Sequence, residues 1–188
     1  MSFNNISAVE HAANQEYVHR VNVEKGWFDK PVSFLDCMAL LVTEIVEASD
    51  AYNDEGLLGG WQAKPQLASE LADCYIRLVD DCSRFGVDLG LVTDIYRFSY
   101  EPRPSKGSFD GTCMQLIRRI REVIESYRKH GLTDDGILWG TETSKLLAHF
   151  YLQLQDTCDS HGVNLIQAFR DKMAVNEARE YRHGNKVA

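Results

Sequence analysis

The stretch LVTEIVEASDAYNDEGL, residues 41–57, spaces its apolar residues at helical intervals, and LIRRIREVIESYRKHGL, residues 116–132, echoes it. The two align Leu41 with Leu116, Ile45 with Ile120, Tyr52 with Tyr127 and Gly56 with Gly131. One residue disturbs this helix. At 100° per residue, Cys37, Leu40, Leu41, Ala48 and Ala51 all lie within about 60° of Glu44, on the face that should be buried. A buried carboxylate without a partner costs several kcal/mol or takes up a proton. What neutralises Glu44 is the question from which a function can be read.

Working outward, YIRLVDDCSRFGVDL (75–89) matches YLQLQDTCDSHGVNL (151–165), and YEPR (100–103) matches NEAR (176–179), all at a spacing of 75 to 76 residues. Cys37/Cys113 and Cys82/Cys158 recur with it, as small core fillers would. Long stretches with a 3.6-residue apolar period, separated by connectors that hold the four prolines, predict helices near 5–25, 33–54, 66–85, 89–100, 112–129, 142–160 and 164–180. Gly56, Gly86, Gly131 and Gly162 stand where four of them should end. No period-2 strand emerges. The expected fold is all-α: two tandem repeats, 1–104 and 105–188, packed as a pseudo-dimer into one integrated domain.

The whole chain, 188 residues with 44% hydrophobic and 26% charged, has the composition of a soluble globular protein. No apolar run is long enough to span a membrane, and MSFNNISAVEH lacks the pattern of a secretory leader. Five cysteines without C-x-x-C spacing suit reduced thiols in the cytoplasm. A formal net charge of −8 speaks against a general nucleic-acid binder. Whether the chain is a monomer or a homodimer is left open.

Glu44 and Glu47 are i,i+3 on one predicted helix, and Glu70 and Asp73 are i,i+3 on the next, so each pair projects to one side. Brought together, four carboxylates repel one another unless divalent cations fill the cluster. All-oxygen ligation suits Mg²⁺, with Mn²⁺ as the alternative. A cation is thus the expected neutraliser of Glu44. The ordinary reading of Glu70 and Asp73 is a solvated helix face, since their stripe also carries Arg77, Asp81 and Arg84. Arg77 reads either as a helical ion-pair partner or as a substrate-facing cation. The second copy has Arg119, Glu122, Leu146 and His149 at the four acidic positions and cannot repeat their chemistry.

E-x-x-E followed after a gap by E-x-x-D, here EIVE (44–47) and ELAD (70–73), resembles the signature of the MazG-like, all-α nucleoside triphosphate pyrophosphohydrolases. EKGWFD (24–29), ELADCYIRLVD (70–80) and the closing KMAVNEAREYRHGNK (172–186) resemble the same family, which covers roughly residues 14–100 and 163–186. Two departures stand out. Thr43 occupies a position where many members carry a further acid, and the closing element follows the second repeat. The resemblance implies Mg²⁺-dependent hydrolysis of a (deoxy)nucleoside triphosphate to monophosphate and pyrophosphate, as house-cleaning or pool control. It implies metal ligation by Glu44, Glu47, Glu70 and Asp73, and substrate binding by Lys172 and Asn176.

Lys172, Asn176 and Arg179 share one face of the last predicted helix, and Arg182, His183 and Lys186 follow it. Arg forks and Lys point charges suit a triphosphate; the plainer reading is a helix C-terminus decorated with cations. Trp27 either caps the core or stacks near a nucleobase. Glu44 or Glu47 is the candidate to deprotonate the attacking water, with Lys172, Asn176, Arg179 and Arg182 opposite the departing pyrophosphate. One site must then draw on both halves of the chain. The competing expectation is a non-catalytic helical module that binds a nucleotide without hydrolysing it.

Overall fold

The computed structural model describes residues 4–57, 65–103, 108–132 and 140–181. Arg182, Lys186 and the repeat boundary expected at 104/105 lie outside the described residues. Within them the chain forms α1 (Ala8–Glu24), α2 (Phe34–Leu57), α3 (Pro65–Arg84), α4 (Leu89–Tyr96), a 3-10 turn (Arg97–Ser99), α5 (Phe109–His130), α6 (Glu142–Ser160) and α7 (Leu165–Ala178). The fold is all-α, with no strand among the described residues.

Local chemistry starts these helices where the periodicity says they should start. Ser7 and Glu10 form a capping box on α1, and Ser33 and Asp36 make the same reciprocal bonds ahead of α2. Asp88 caps α4 and Asn164 caps α7, each accepting from the backbone N–H three residues on. Gly86 (φ 73°) and Gly162 (φ 67°) supply the left-handed residue after α3 and α6. Val87 N–H then closes back on the Cys82 carbonyl at 2.8 Å, and Val163 N–H on that of Cys158 at 2.9 Å. The predicted helix over 89–100 is shorter than expected. Ser99 Oγ takes the Tyr96 carbonyl, and Pro102 biases Glu101 to extended backbone, so the segment tightens into the 3-10 turn and leaves.

Helix α2 packs along α3 and α5 along α6, while α2 also meets α5 and α3 meets α6. Helix α4 lies on α6 and α7 lies on α3, so the last helix returns to the first half of the chain. One continuous core runs through these contacts, with Met38, Leu41, Ile45, Leu71, Leu78, Leu116, Ile120 and Phe150 fully buried. At its centre Tyr75 and Tyr151 approach with ring centroids 5.9 Å apart. The Tyr75 hydroxyl sits 3.0 Å from both His11 Nδ1 and Asn14 Nδ2. Cys37, Cys74, Cys82, Cys113 and Cys158 are buried, unpaired thiols. No helix among the described residues is long and apolar enough to cross a membrane.

Candidate functional site

Helices α2 and α3 carry the acidic set to one place because each pair is i,i+3 on its own helix and the helices pack lengthwise. Carboxylate oxygens of Glu44, Glu47 and Glu70 all lie within 4.8 Å of one another. Glu44 is buried (5% exposed), Glu70 half-buried and Glu47 exposed. The fourth acid, Asp73, is drawn aside. Its Oδ2 lies 2.5 Å from Lys172 Nζ, which also donates to Ser69 Oγ at 2.9 Å.

The structure answers the Glu44 question with a residue. Arg77 Nε donates to Glu44 Oε1 in a close ion pair between α3 and α2. Arg77 is therefore an interhelical partner as well as a member of its own helix's stripe. Two cations, Arg77 and Lys172, against four carboxylates leave a net charge of −2. Burial raises the proton affinity of Glu70, opposed by Lys172 and reinforced by Asp73, Glu47 and Glu44. Asp73 is likewise raised by burial, with Lys172 holding it down. A residual charge of −2 on convergent oxygens fits one divalent hard cation, in charge and in donor type.

Beside these acids opens a cleft of about 390 Å³ walled by the end of α1 and the following turn, α2, α3 and α7. Glu44, Asp73, Arg77, Asn176, Arg179 and Trp27 all line it, so it brings together six residues singled out from sequence. Trp27 is half-buried against the opening. Lys25 Nζ donates to the Arg179 carbonyl at 2.7 Å and ties the end of α7 to the turn after α1. The Tyr181 hydroxyl donates to Asp29 and fastens the same junction. Asn176 Oδ1 is buried without a protein partner.

The stripe whose plainer reading was a solvated face is buried or half-buried. On α3 the polar positions 73, 77, 80, 81 and 84 follow one another down the cleft wall. Asp80 and Asp81 are 8% and 7% exposed. Burial pushes the Asp81 carboxyl up to about 7, with Asp80 adding to it and the Cys37 thiol, Arg77 and Arg84 opposing. Asp80 is also raised by burial, against a hydrogen bond from Asn22 and the charge of Arg84. Arg84 stacks 3.7 Å over the Phe28 ring. Asn22, Lys25 and Asp80 carry no spacing that marks them in the sequence. The adjacent acids in RLVDDCSR, inside a helix otherwise apolar on that flank, were the available signal.

A group whose folded pKa is raised binds more protons folded than unfolded, so its contribution favours the fold at low pH and is lost as pH rises through the folded value. The metal-free protein should therefore lose melting temperature between about pH 4 and about pH 7, and Asp81→Asn should flatten that fall. Thermal melts across this range check it; a slope unaffected by Asp81→Asn would show that Asp81 is not the group responsible.

The corresponding positions of the second half are closed by internal partners. Arg103 Nη2 donates to Glu122 at 2.8 and 3.0 Å, and Arg119 Nη2 donates to the Glu101 carbonyl at 2.6 Å. Arg119, which aligns with Glu44 in the sequence, is buried beside Glu122. His149, at the place of Asp73, meets Ser99 Oγ at 3.2 Å. Compared with known proteins, the chain matches no family model, no curated protein and no solved structure.

Proposed function

We propose that the chain is a Mg²⁺-dependent (deoxy)nucleoside triphosphate pyrophosphohydrolase of the MazG-like kind, releasing a nucleoside monophosphate and pyrophosphate in the cytoplasm. The observation that carries this reading is the convergence of Glu44, Glu47 and Glu70 at the edge of a cleft that α7 lines with Asn176 and Arg179. Glu44, Glu47 and Glu70 hold the cation, with Asp73 adjoining. When bound, it supplies Lewis-acid compensation for the charge of the triphosphate.

The protein's own groups divide the remaining work. Arg77 holds the Glu44 side chain in place through the close ion pair between α3 and α2. Among the described residues no cation pairs with Glu47, and its exposure lets it take the proton of the attacking water. Lys172 and Arg179 oppose the negative charge that grows on the departing pyrophosphate. Trp27 stands where a base can stack.

We also infer that the chain is a tandem duplication packed about a pseudo-two-fold axis. The reciprocal contacts of α7 on α3 and α4 on α6 support this, as do the matching caps at Asp88 and Asn164 and the Tyr75–Tyr151 meeting. Under that symmetry Arg103 corresponds to Arg179. Arg103 closes on Glu122, and Arg179 lines the cleft beside Glu44. The second copy then serves as scaffold. Glu122→Ala should change kcat by less than about threefold, yet cost about 1–2 kcal/mol in a melt because Arg103 loses its acceptor and Arg119 a neighbouring charge. A hundredfold loss of activity would place the active half wrongly.

The test of the main reading is phosphate release from each canonical triphosphate with Mg²⁺, measured with and without added inorganic pyrophosphatase. Phosphate that appears only with pyrophosphatase supports it. Nucleotide binding without any release would leave the non-catalytic module in its place.

A further inference from the structure

The far end of the cleft holds polar atoms that neither the metal cluster nor the phosphate-facing cations use. Asp80 Oδ1, Asp81 Oδ2 and Arg84 Nε are buried, line the cleft and have no protein hydrogen-bond partner. As whole residues Asp80 and Asp81 are 8% and 7% exposed. Leaving such atoms unsatisfied costs on the order of 1–3 kcal/mol each, more for charged groups. Asp80 follows Asp73 by two helical turns, about 10 Å along α3. The orphaned atoms and the acidic cluster are thus separated by roughly a nucleoside, and Trp27 lines the same cleft. The cavity volume of about 390 Å³ lies within the range of about 300–1,000 Å³ usual for small-molecule sites.

The donor and acceptor inventory selects the base. Two acceptors and one donor await a ligand edge with two donors and one acceptor. Guanine presents that set along one edge: the 2-amino group, N1–H and O6. Carboxylates accept from amino and imino N–H groups, and arginine is a habitual donor to guanine O6. Adenine and cytosine offer one amino group beside ring acceptors, and uracil offers one N–H between two carbonyls. A wider cavity of about 640 Å³ lies on the other side of Lys172, between α3 and α7. None of the buried unpaired atoms among the described residues lines it, and Asn164 and Asp171 on its wall are already engaged.

We infer that Asp80, Asp81 and Arg84 form a base-recognition subsite for a guanine-type edge, which makes guanine nucleotides the preferred substrate class. This rests on the proposed hydrolytic site for the place of the phosphates, but not for the recognition itself.

The experiment has two arms on the full chain. Equilibrium binding of GMP and IMP, without Mg²⁺, isolates the 2-amino group, which IMP lacks. GMP should bind at least about tenfold tighter, the worth of one charge-assisted hydrogen bond. Asp80→Asn and Asp81→Asn keep the shape and should bring that ratio below about threefold. The second arm compares pyrophosphate release from GTP, ITP, ATP, CTP and UTP, wild type against the same variants. Equal binding of GMP and IMP by the wild type overturns the subsite, as does a preference that survives both substitutions. Base discrimination without turnover of any triphosphate upholds the subsite and removes the hydrolytic reading. Turnover without base preference does the reverse.

Discussion

Glu47→Gln should abolish pyrophosphate release, lowering kcat by about a thousandfold or more, while the melting temperature of the metal-free protein should stay unchanged. Glutamine keeps the size and the carbonyl ligand but removes the charge and the basic oxygen, and positioned general bases contribute about 10²–10⁴ in rate. Stability is spared because Glu47 is exposed and, among the described residues, no cation depends on it. Glu44→Gln gives the contrast that makes the test informative. It should also be inactive, but it leaves the Arg77 guanidinium without its acceptor. Arg77 is 39% exposed, so the loss stays below the roughly 3–5 kcal/mol of breaking a fully buried pair. Relief of repulsion among the neighbouring acids offsets part of it. Wild-type kcat in Glu47→Gln at saturating Mg²⁺ would remove Glu47 from the reacting centre.

Sequence made the helices legible because most are long and their ends are punctuated. Ser33 ahead of α2 and Gly86 after α3 mark ends with their own side chains or backbone freedom. Gly56 misled slightly, since α2 runs to Leu57, within the usual uncertainty of a helix end. The i,i+3 acids were legible for the same reason, as geometry within a single helix. What crosses between helices was not. The Arg77–Glu44 pair depends on the register of α3 against α2, which no single-helix period encodes. Asp73 was expected to share the metal cluster, and the arrival of α7 also gives it Lys172 as a neighbour. Asp81 belonged to the stripe whose plainer reading was a solvated face, and Asp80 drew no reading at all. Adjacent acids on a charged stripe look solvated, and only the closure of α1, α2 and α7 around them makes them buried. A charge pattern reports composition of a face, whereas burial is decided by what packs over it.

The position of Lys172 supports the second large effect. Lys172→Ala should cut kcat/KM for a triphosphate by about 10- to 150-fold, the loss of about 1.5–3 kcal/mol expected for a charge-assisted hydrogen bond. A structural ion pair could lower activity by loosening the fold, so the pH profile carries the distinction. Lys172 opposes the rise that burial imposes on both Asp73 and Glu70. Without it, four carboxylates face Arg77 alone, and the residual charge passes from −2 to −3. Both acids then hold their protons to higher pH, and since the site works with them ionised, the acid limb of the profile should move upward. Mg²⁺ binding above that limb should be preserved or tightened, because the cluster has become more negative. Lys172→Arg should restore much of the pH profile, as it returns the charge. Arg179→Ala, whose charge is not among those acting on Glu70 and Asp73, should weaken triphosphate handling without moving the limb. If the Lys172→Ala, Arg179→Ala double variant keeps its kcat/KM, then α7 only braces α3, and the two halves of the chain do not share one site.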